Sequence, residues 1–233
     1  MSAFLSAVSA LLLLWLRARV VPAASFTVVA PWLSALALLF QFVGYQKILS
    51  ADGPAKLIKG LTWAQGGWIL LGISLPGFWP VSGALNFILL QGLLRFPLDA
   101  VLLSKDWRRP ILLLAAFLAL VGCLPFATFM AYFQTFIPLM SVADGVTDMH
   151  QKLFSLMGLL AALAMLSVVY QTAVLARFYW VHIFGKPGPN KMDLPAVSLA
   201  SGLAACLVLG LEHRWYGAFL AAMAAKLGFS PGP

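Results

Sequence analysis

The sequence predicts an all-α integral membrane protein of about seven transmembrane helices, one of which is discontinuous. Of its 233 residues, 62% are hydrophobic and only 9% are charged, and the mean hydropathy is +0.96. A soluble domain of this length needs far more charge on its surface. Apolar runs recur along the chain, and short connections that hold most of the basic residues separate them.

The apolar run over residues 110–141 is interrupted at its centre by Gly122 and Pro125. Proline lacks an amide hydrogen and clashes with the preceding turn, and glycine adds backbone freedom, so the pair predicts a break in the helix. Hydrocarbon does not tolerate the unpaired amides and carbonyls that a break creates. We therefore expect the break to be buried in protein or to face a watery cavity, as in ion paths, the alternative being a plain proline kink.

The other elements follow from apolar length and from Gly and Pro as helix ends. The run over 3–16 comes before Arg17 and Arg19, whereas a signal peptide carries its positive charge first, so a short membrane helix is predicted within residues 1–23. Residues 212–233 are predicted to form an interfacial tail. The bundle over 24–211 holds the predicted spans 24–45, 57–75, 84–103, 110–141, 153–184 and 194–211.

Basic residues concentrate in alternate connections, which predicts the orientation of the chain. They place the amino terminus in the cytoplasm, and we expect the protein in a bacterial inner membrane. Arg17 and Arg19 are the exception to this bias. The basic residues that carry the prediction are Lys47, Lys56, Lys59, Lys105, Arg108, Arg109, Lys186 and Lys191.

The predicted span 84–103 contains two oppositely charged residues, Arg95 and Asp99. They lie one helical turn apart on the same face, with Pro97 between them. Charges within a membrane span are costly unless they are paired or hydrated, so the pair is a candidate functional site. The alternative is a structural pair near the helix end, with the Arg95 side chain reaching toward the interface.

The remaining chemistry predicts neither catalytic residues nor a bound cofactor. His150, His182 and His213 lie near the ends of apolar runs and far apart in sequence, so no metal site is predicted. Cys123 and Cys206 are expected to pack as small apolar side chains, and no serine or cysteine stands in a nucleophile setting. The net charge of +8 reflects basic loops rather than a nucleic-acid partner. The tryptophans are expected mostly at helix ends, as an aromatic belt.

Three segments resemble the antiporter-like membrane subunits of respiratory complex I, membrane-bound hydrogenases and multisubunit sodium/proton antiporters. Residues 108–133 begin Arg-Arg-Pro and continue, after an apolar run, as Gly-Cys-Leu-Pro-Phe-Ala-Thr-Phe. This is similar to the family's Arg-Arg-Pro, apolar run and Gly-Ile-Pro-Pro-x-Ala-Gly-Phe. The helix start over 56–68 and the Phe-Gly-Lys-Pro of 184–187 are similar to two further family segments, and the resemblance covers residues 24–211.

The resemblance implies that this chain corresponds to the carboxyl-terminal half of a fourteen-helix subunit. The break at Gly122 and Pro125 would be that subunit's second broken helix. The expected partners are other membrane subunits of the complex, and whether one of them supplies the missing first repeat is left open by the resemblance. A full subunit carries protons or cations along buried lysines, glutamates and histidines. Here Tyr132 stands where the family has a charged residue just after the break, and a phenol with an ordinary pKa of about 10 is a poor relay at neutral pH.

Two functions follow from the resemblance. In the first, the chain contributes to proton or cation translocation within an oxidoreductase or antiporter complex. In the second, it is a non-conducting scaffold in the lipid bilayer that seats other membrane subunits. A third reading, an independent small transporter or a lipid or quinone enzyme, lacks a catalytic set. The candidate residues for an ion path are Lys59, Gln65, Asn86, Arg95, Asp99, Tyr132, Gln134, Tyr170 and Gln171.

Overall fold

A computed structural model describes residues 11–14, 17, 23–75, 78–123, 126–144, 156–186, 188 and 192–229. Every regular element in these ranges is helical, which agrees with the predicted all-α class. Helix α3 runs over Phe78–Leu102 and contains a π-helical turn at Gln91–Arg95. The other helices are α1 Ala23–Leu49, α2 Pro54–Ser74, α4 Pro110–Leu120, α5 Ala127–Asp144, α6 Leu156–His182, α7 Leu194–Leu211 and α8 His213–Lys226.

Four helical segments in the described part of the chain are long and apolar enough to cross a membrane. They are Val29–Leu49 in α1, Phe78–Leu102, Gly158–His182 in α6, and Leu194–Leu211. Helix α4 is apolar but shorter. The count of about seven spans therefore stays a prediction, and most of the expected first run, 3–16, lies outside the described residues.

Prolines lie in the first turn of several helices. Pro54 and Pro110 are the first residues of α2 and α4, where the missing amide hydrogen costs nothing. Helix α3 begins at Phe78 rather than at the predicted residue 84. The predicted start was wrong because Pro80 continues the helix and does not form a turn. In the structure Pro80 lies in the first helical turn, which needs no amide hydrogen from it.

Helices α1 and α2 pack through glycines whose backbones approach closely. A Cβ atom on Gly44 would lie 2.7 Å from the Gly60 carbonyl oxygen, and one on Gly60 would lie 2.8 Å from the Gly44 oxygen. Small residues allow this approach, which is common between membrane helices. The same pair of helices carries the Tyr45 and Trp68 side chains that are described with the site below.

The connections that carry basic residues meet at one end of the bundle. We call it the basic end, and two contacts between Arg and other residues define it. Arg177 near the end of α6 donates to the Leu49 carbonyl oxygen at the end of α1 at 3.1 Å. Arg109 before α4 pairs with Asp193 before α7 at 2.8 Å. The predicted exception Arg17 lies at the end of α2, where it donates to the Leu75 carbonyl oxygen at 2.6 Å. Arg17 thus binds helix-end carbonyls away from the basic end.

The carboxyl-terminal segment forms a helix that packs on the bundle. Helix α8 buries Tyr216, Leu220 and Ala224, which recur at helical spacing, and it contacts α3. A neighbouring face of the same helix exposes Trp215 and Phe219. The tail that the sequence indicated is therefore an amphipathic helix, and its place at a membrane interface stays a prediction.

Candidate functional site

The structure describes both helices that flank the predicted break. Helix α4 ends at Leu120 and α5 begins at Ala127. Gly122 has a φ of +78°, a left-handed conformation that favours glycine. Its amide donates to the Ala119 carbonyl oxygen at 3.2 Å and closes the last turn of α4. Pro125, the second residue of the predicted break, lies outside the described residues.

Neutral side chains bind the carbonyl oxygens that the break releases. The Tyr132 hydroxyl donates to the Leu120 oxygen at 2.9 Å, and the Gln171 amide donates to the same oxygen at 3.1 Å. The Thr128 hydroxyl donates to the Ala119 oxygen. All three side chains are buried. Protein groups therefore bind the Ala119 and Leu120 oxygens at the end of α4, which is one of the two environments expected for a break.

Gln171 connects this cap to α1 and α2. Its carbonyl oxygen is 3.0 Å from the Tyr45 hydroxyl and 3.2 Å from the Trp68 indole nitrogen, both of which donate to it. The Tyr45 hydroxyl is also 3.1 Å from that of Ser167, which donates to Gln41. We call this group the break cluster. It consists of Gln41, Tyr45, Trp68, Tyr132, Ser167 and Gln171.

A second group surrounds Arg95, which is 1% exposed. Its Nε donates to Asp99 Oδ1 at 2.8 Å. Its terminal nitrogens donate to the Ile58 carbonyl oxygen at 2.7 Å, to Gln65 at 3.2 Å and to Thr62 at 3.3 Å. We call these residues the arginine cluster. It ties the π-helical turn of α3 to the first half of α2, so the predicted pair of Arg95 and Asp99 is also a link between two helices.

The other predicted path residues are dispersed. The Asn86 oxygen accepts from the Tyr216 hydroxyl at 2.7 Å, which attaches α8 to α3. Gln134 is buried, and its Oε1 has no hydrogen-bond partner among the described residues. Lys59 is exposed, and Tyr170 accepts from Gln46 near the surface. The structure brings Gln65, Arg95 and Asp99 together, and separately Tyr132 and Gln171.

Four of the six residues of the break cluster were not among the residues predicted from the sequence. Gln41 and Tyr45 lie four residues apart in α1, and Ser167 and Gln171 lie four apart in α6. Because residues four apart share a helix face, this spacing is the sequence signal that could have indicated the two pairs. Trp68 corrects the expectation of an aromatic belt, because it is 0% exposed. Its ring packs edge-on against Tyr132 with centroids 4.7 Å apart. By contrast, Trp79, Trp180 and Trp215 are exposed.

The chemistry of the two clusters differs. The break cluster holds only hydroxyl, amide and indole groups, which exchange hydrogen bonds but carry no charge at neutral pH. In the arginine cluster the guanidinium stays protonated, and Asp99 is its one acid. No hydrogen bond between described residues joins the two clusters, although Gln65 and Trp68 lie on the same helix, α2.

These features define an all-helical integral membrane protein whose broken helix is capped by neutral side chains. Its fold is similar to that of a chain in a solved structure of the Mrp complex from Dietzia sp. DQ12-45-1b, with a TM-score of 0.67 and 16% sequence identity. The match covers 88% of this chain and 50% of that chain, so this chain spans about half the length of its neighbour.

The match shows that the two chains share a fold. The resemblance of the three sequence segments to antiporter-like subunits agrees with a shared membrane fold and stays a prediction. Correspondence to the carboxyl-terminal half of such a subunit stays a prediction. Comparisons with protein-family models and with curated proteins give no match.

Proposed function

We propose that this chain is a membrane subunit of a multisubunit antiporter-like assembly and serves there as a non-conducting scaffold. The assembly is suggested by the likeness to half of an Mrp complex chain. One observation carries the scaffold role. Tyr132, at the position where the resembled family has a charged residue, donates its hydroxyl hydrogen bond to the freed Leu120 oxygen at 2.9 Å. The group at this position closes the fold and is not available as a charged relay.

The environment of Tyr132 supports the same role. Its ring is 4.7 Å from that of Trp68 and 5.0 Å from that of Phe87, centroid to centroid. An ammonium or carboxylate in this apolar surrounding is costly without a charged partner. The break cluster supplies only neutral partners, so it favours a tyrosine and disfavours a charge.

A specific observation favours translocation as the second candidate. Asp99 Oδ1 accepts from Arg95, but no described residue donates to the other carboxylate oxygen. The Asp99 side chain is 12% exposed, so that oxygen is accessible from outside the chain. A carboxylate in this position can take a proton or a cation from a neighbouring subunit or from water.

Three variants distinguish the two candidates by ion flux per assembled complex in membrane vesicles. Under the scaffold proposal, Asp99→Asn and Tyr132→Phe both leave the flux unchanged. Under translocation by Asp99, Asp99→Asn lowers it several-fold while Asp52→Asn, a matched exposed control, does not. The proteins that copurify with the chain in mild detergent identify the assembly and its other membrane subunits. A chain that is active alone contradicts both candidates.

The Tyr132→Phe result is expected for a physical reason. In this variant the Leu120 oxygen still accepts from Gln171, so no buried carbonyl is left unpaired. The loss is about 1 kcal/mol of stability for one hydrogen bond, and the assembly stays intact. Tyr170→Phe is the matched control, because the Tyr170 hydroxyl accepts a hydrogen bond near the surface. Flux lost in Tyr132→Phe at normal assembly would contradict the scaffold role.

A further inference from the structure

A small polar cavity lies at the basic end, between the carboxyl-terminal ends of α1 and α6. Leu49 and Ala51 form one wall, and Arg177, Phe178 and His182 form the other. Its volume is about 60 Å³, several times the roughly 10–15 Å³ that one water occupies by the same measure. The cavity therefore has room for a small polar group.

The side chains in the cavity wall favour an anion. Arg177 and His182 line it, and no acid does. Arg177 uses one terminal nitrogen to donate to the Leu49 carbonyl oxygen at 3.1 Å. A guanidinium has five N–H donors in a planar fork that suits phosphate oxygens, so most of its donors are left for a ligand.

Asp52 is an acid close enough to the cavity to interact electrostatically with His182, but it is already paired with a lysine. It accepts a hydrogen bond from the Lys56 ammonium at 2.7 Å, and this bond, with a smaller contribution from His182, holds the pKa of the Asp52 carboxyl below its usual value. Lys186 donates to the Val181 carbonyl oxygen at 3.1 Å. The surroundings of the cavity therefore keep an excess of positive charge.

The cavity also lies where two membrane spans end. The segments Val29–Leu49 and Gly158–His182 both end at its wall. Beside it, Trp180 and Phe184 are exposed and stack with ring centroids 4.4 Å apart. Exposed aromatic rings at a span end are typical of the headgroup level of a bilayer. Basic pockets between helices at this level suit anionic lipid headgroups.

We propose that this cavity binds a phosphate group through Arg177 and His182, at the headgroup level of the membrane. The phosphate group belongs either to a lipid phosphodiester or to free inorganic phosphate. In both cases a phosphate oxygen accepts hydrogen bonds from the Arg177 guanidinium, and experiment separates the two sources.

The full chain, purified in mild detergent with its accompanying subunits and stripped of lipid, is titrated with phosphatidylglycerol, phosphatidylcholine or inorganic phosphate. Native mass spectrometry counts the bound molecules, and the thermal midpoint reports the linked stabilisation. The variants are Arg177→Gln, Arg177→Lys as the conservative change, and Lys105→Gln as a control that removes an exposed charge from the same end.

For a lipid source, we expect the wild type and Lys105→Gln to bind phosphatidylglycerol equally. Arg177→Gln should bind it at least tenfold more weakly, and Arg177→Lys should fall between them. For a phosphate source, the same ranking appears with inorganic phosphate. Equal binding by all four proteins for every probe, or binding that Lys105→Gln weakens as much as Arg177→Gln does, overturns the proposal. Because binding is counted on folded protein, a loss of stability in a variant does not imitate a loss of affinity.

Discussion

The substitution Gly122→Ala tests whether the broken helix depends on the contact between its end and Tyr132. Gly122 has a φ of +78°, and an added Cβ would lie 2.5 Å from Tyr132 Cδ2 and 2.8 Å from Cε2. The Tyr132 ring cannot move away freely, because it packs against Trp68 and its hydroxyl is bound to the Leu120 oxygen. Alanine therefore introduces both backbone strain and a clash.

A second glycine in the same chain separates these two effects. Gly185 has a φ of +70°, and an added Cβ there would have no atom within 4 Å. Placing alanine in the left-handed conformation costs about 1–2 kcal/mol of folding stability. Alanine has less conformational freedom than glycine in the unfolded chain, which offsets about 0.4–1 kcal/mol of this cost. Overpacking adds about 1–3 kcal/mol. We therefore expect Gly185→Ala to cost about 1 kcal/mol and Gly122→Ala to cost about 2–4 kcal/mol.

The assay is reversible unfolding of the purified chain in mixed micelles, followed by circular dichroism, with a double-mutant cycle between Gly122→Ala and Tyr132→Ala. Removal of the ring abolishes the clash, so the cycle should show a coupling of about 1–3 kcal/mol. If Gly122→Ala costs no more than Gly185→Ala, or if the coupling is absent, then the ring does not hold the break and the account of the cap is wrong.

Two further predictions concern stability. Asp99→Asn removes the acid beside the buried Arg95 guanidinium, so it should destabilise the chain by about 3 kcal/mol, whereas Asp52→Asn, in an exposed pair, should cause no measurable change. Gly202→Ala places a methyl group against the Leu93 carbonyl oxygen in the π-helical turn and should cost about 1–3 kcal/mol. Gly217→Ala is its control, since an added Cβ there meets nothing within 4 Å. The same unfolding assay measures all four, and equal costs for a variant and its control would contradict either prediction.

Features with a local cause could be predicted from the sequence. Composition gave the all-α membrane class, and the glycine at residue 122 gave a break whose flanking helix ends the structure describes. The spacing of Arg95 and Asp99 gave their ion pair, because residues four apart share a helix face. In each case the information lies within one or two turns of helix.

The partners of those residues could not be predicted in the same way. The Tyr132 hydroxyl donates to the Leu120 oxygen and lies 3.2 Å from Gln171 Oε1, and these partners are 12 and 39 residues away along the chain. Which helices face each other at the break is decided by tertiary packing. Trp68 shows the same limit, since its residue type indicated an interface, whereas the packing of α1, α3, α5 and α6 around α2 buries it.

The break cluster gives a physical reason why a broken helix can persist without a relay charge. A break releases carbonyl oxygens that must be bound, whatever else the helix does. Charged groups and water can meet this need in a membrane protein, and in this chain Tyr132, Gln171 and Thr128 meet it with neutral donors. A neutral cap needs no counter-ion, so the surrounding space can be filled by the rings of Trp68 and Phe87. Under the proposed scaffold role, the aromatic packing and the neutral residue at position 132 therefore go together, and a break that is capped in this way does not require conduction.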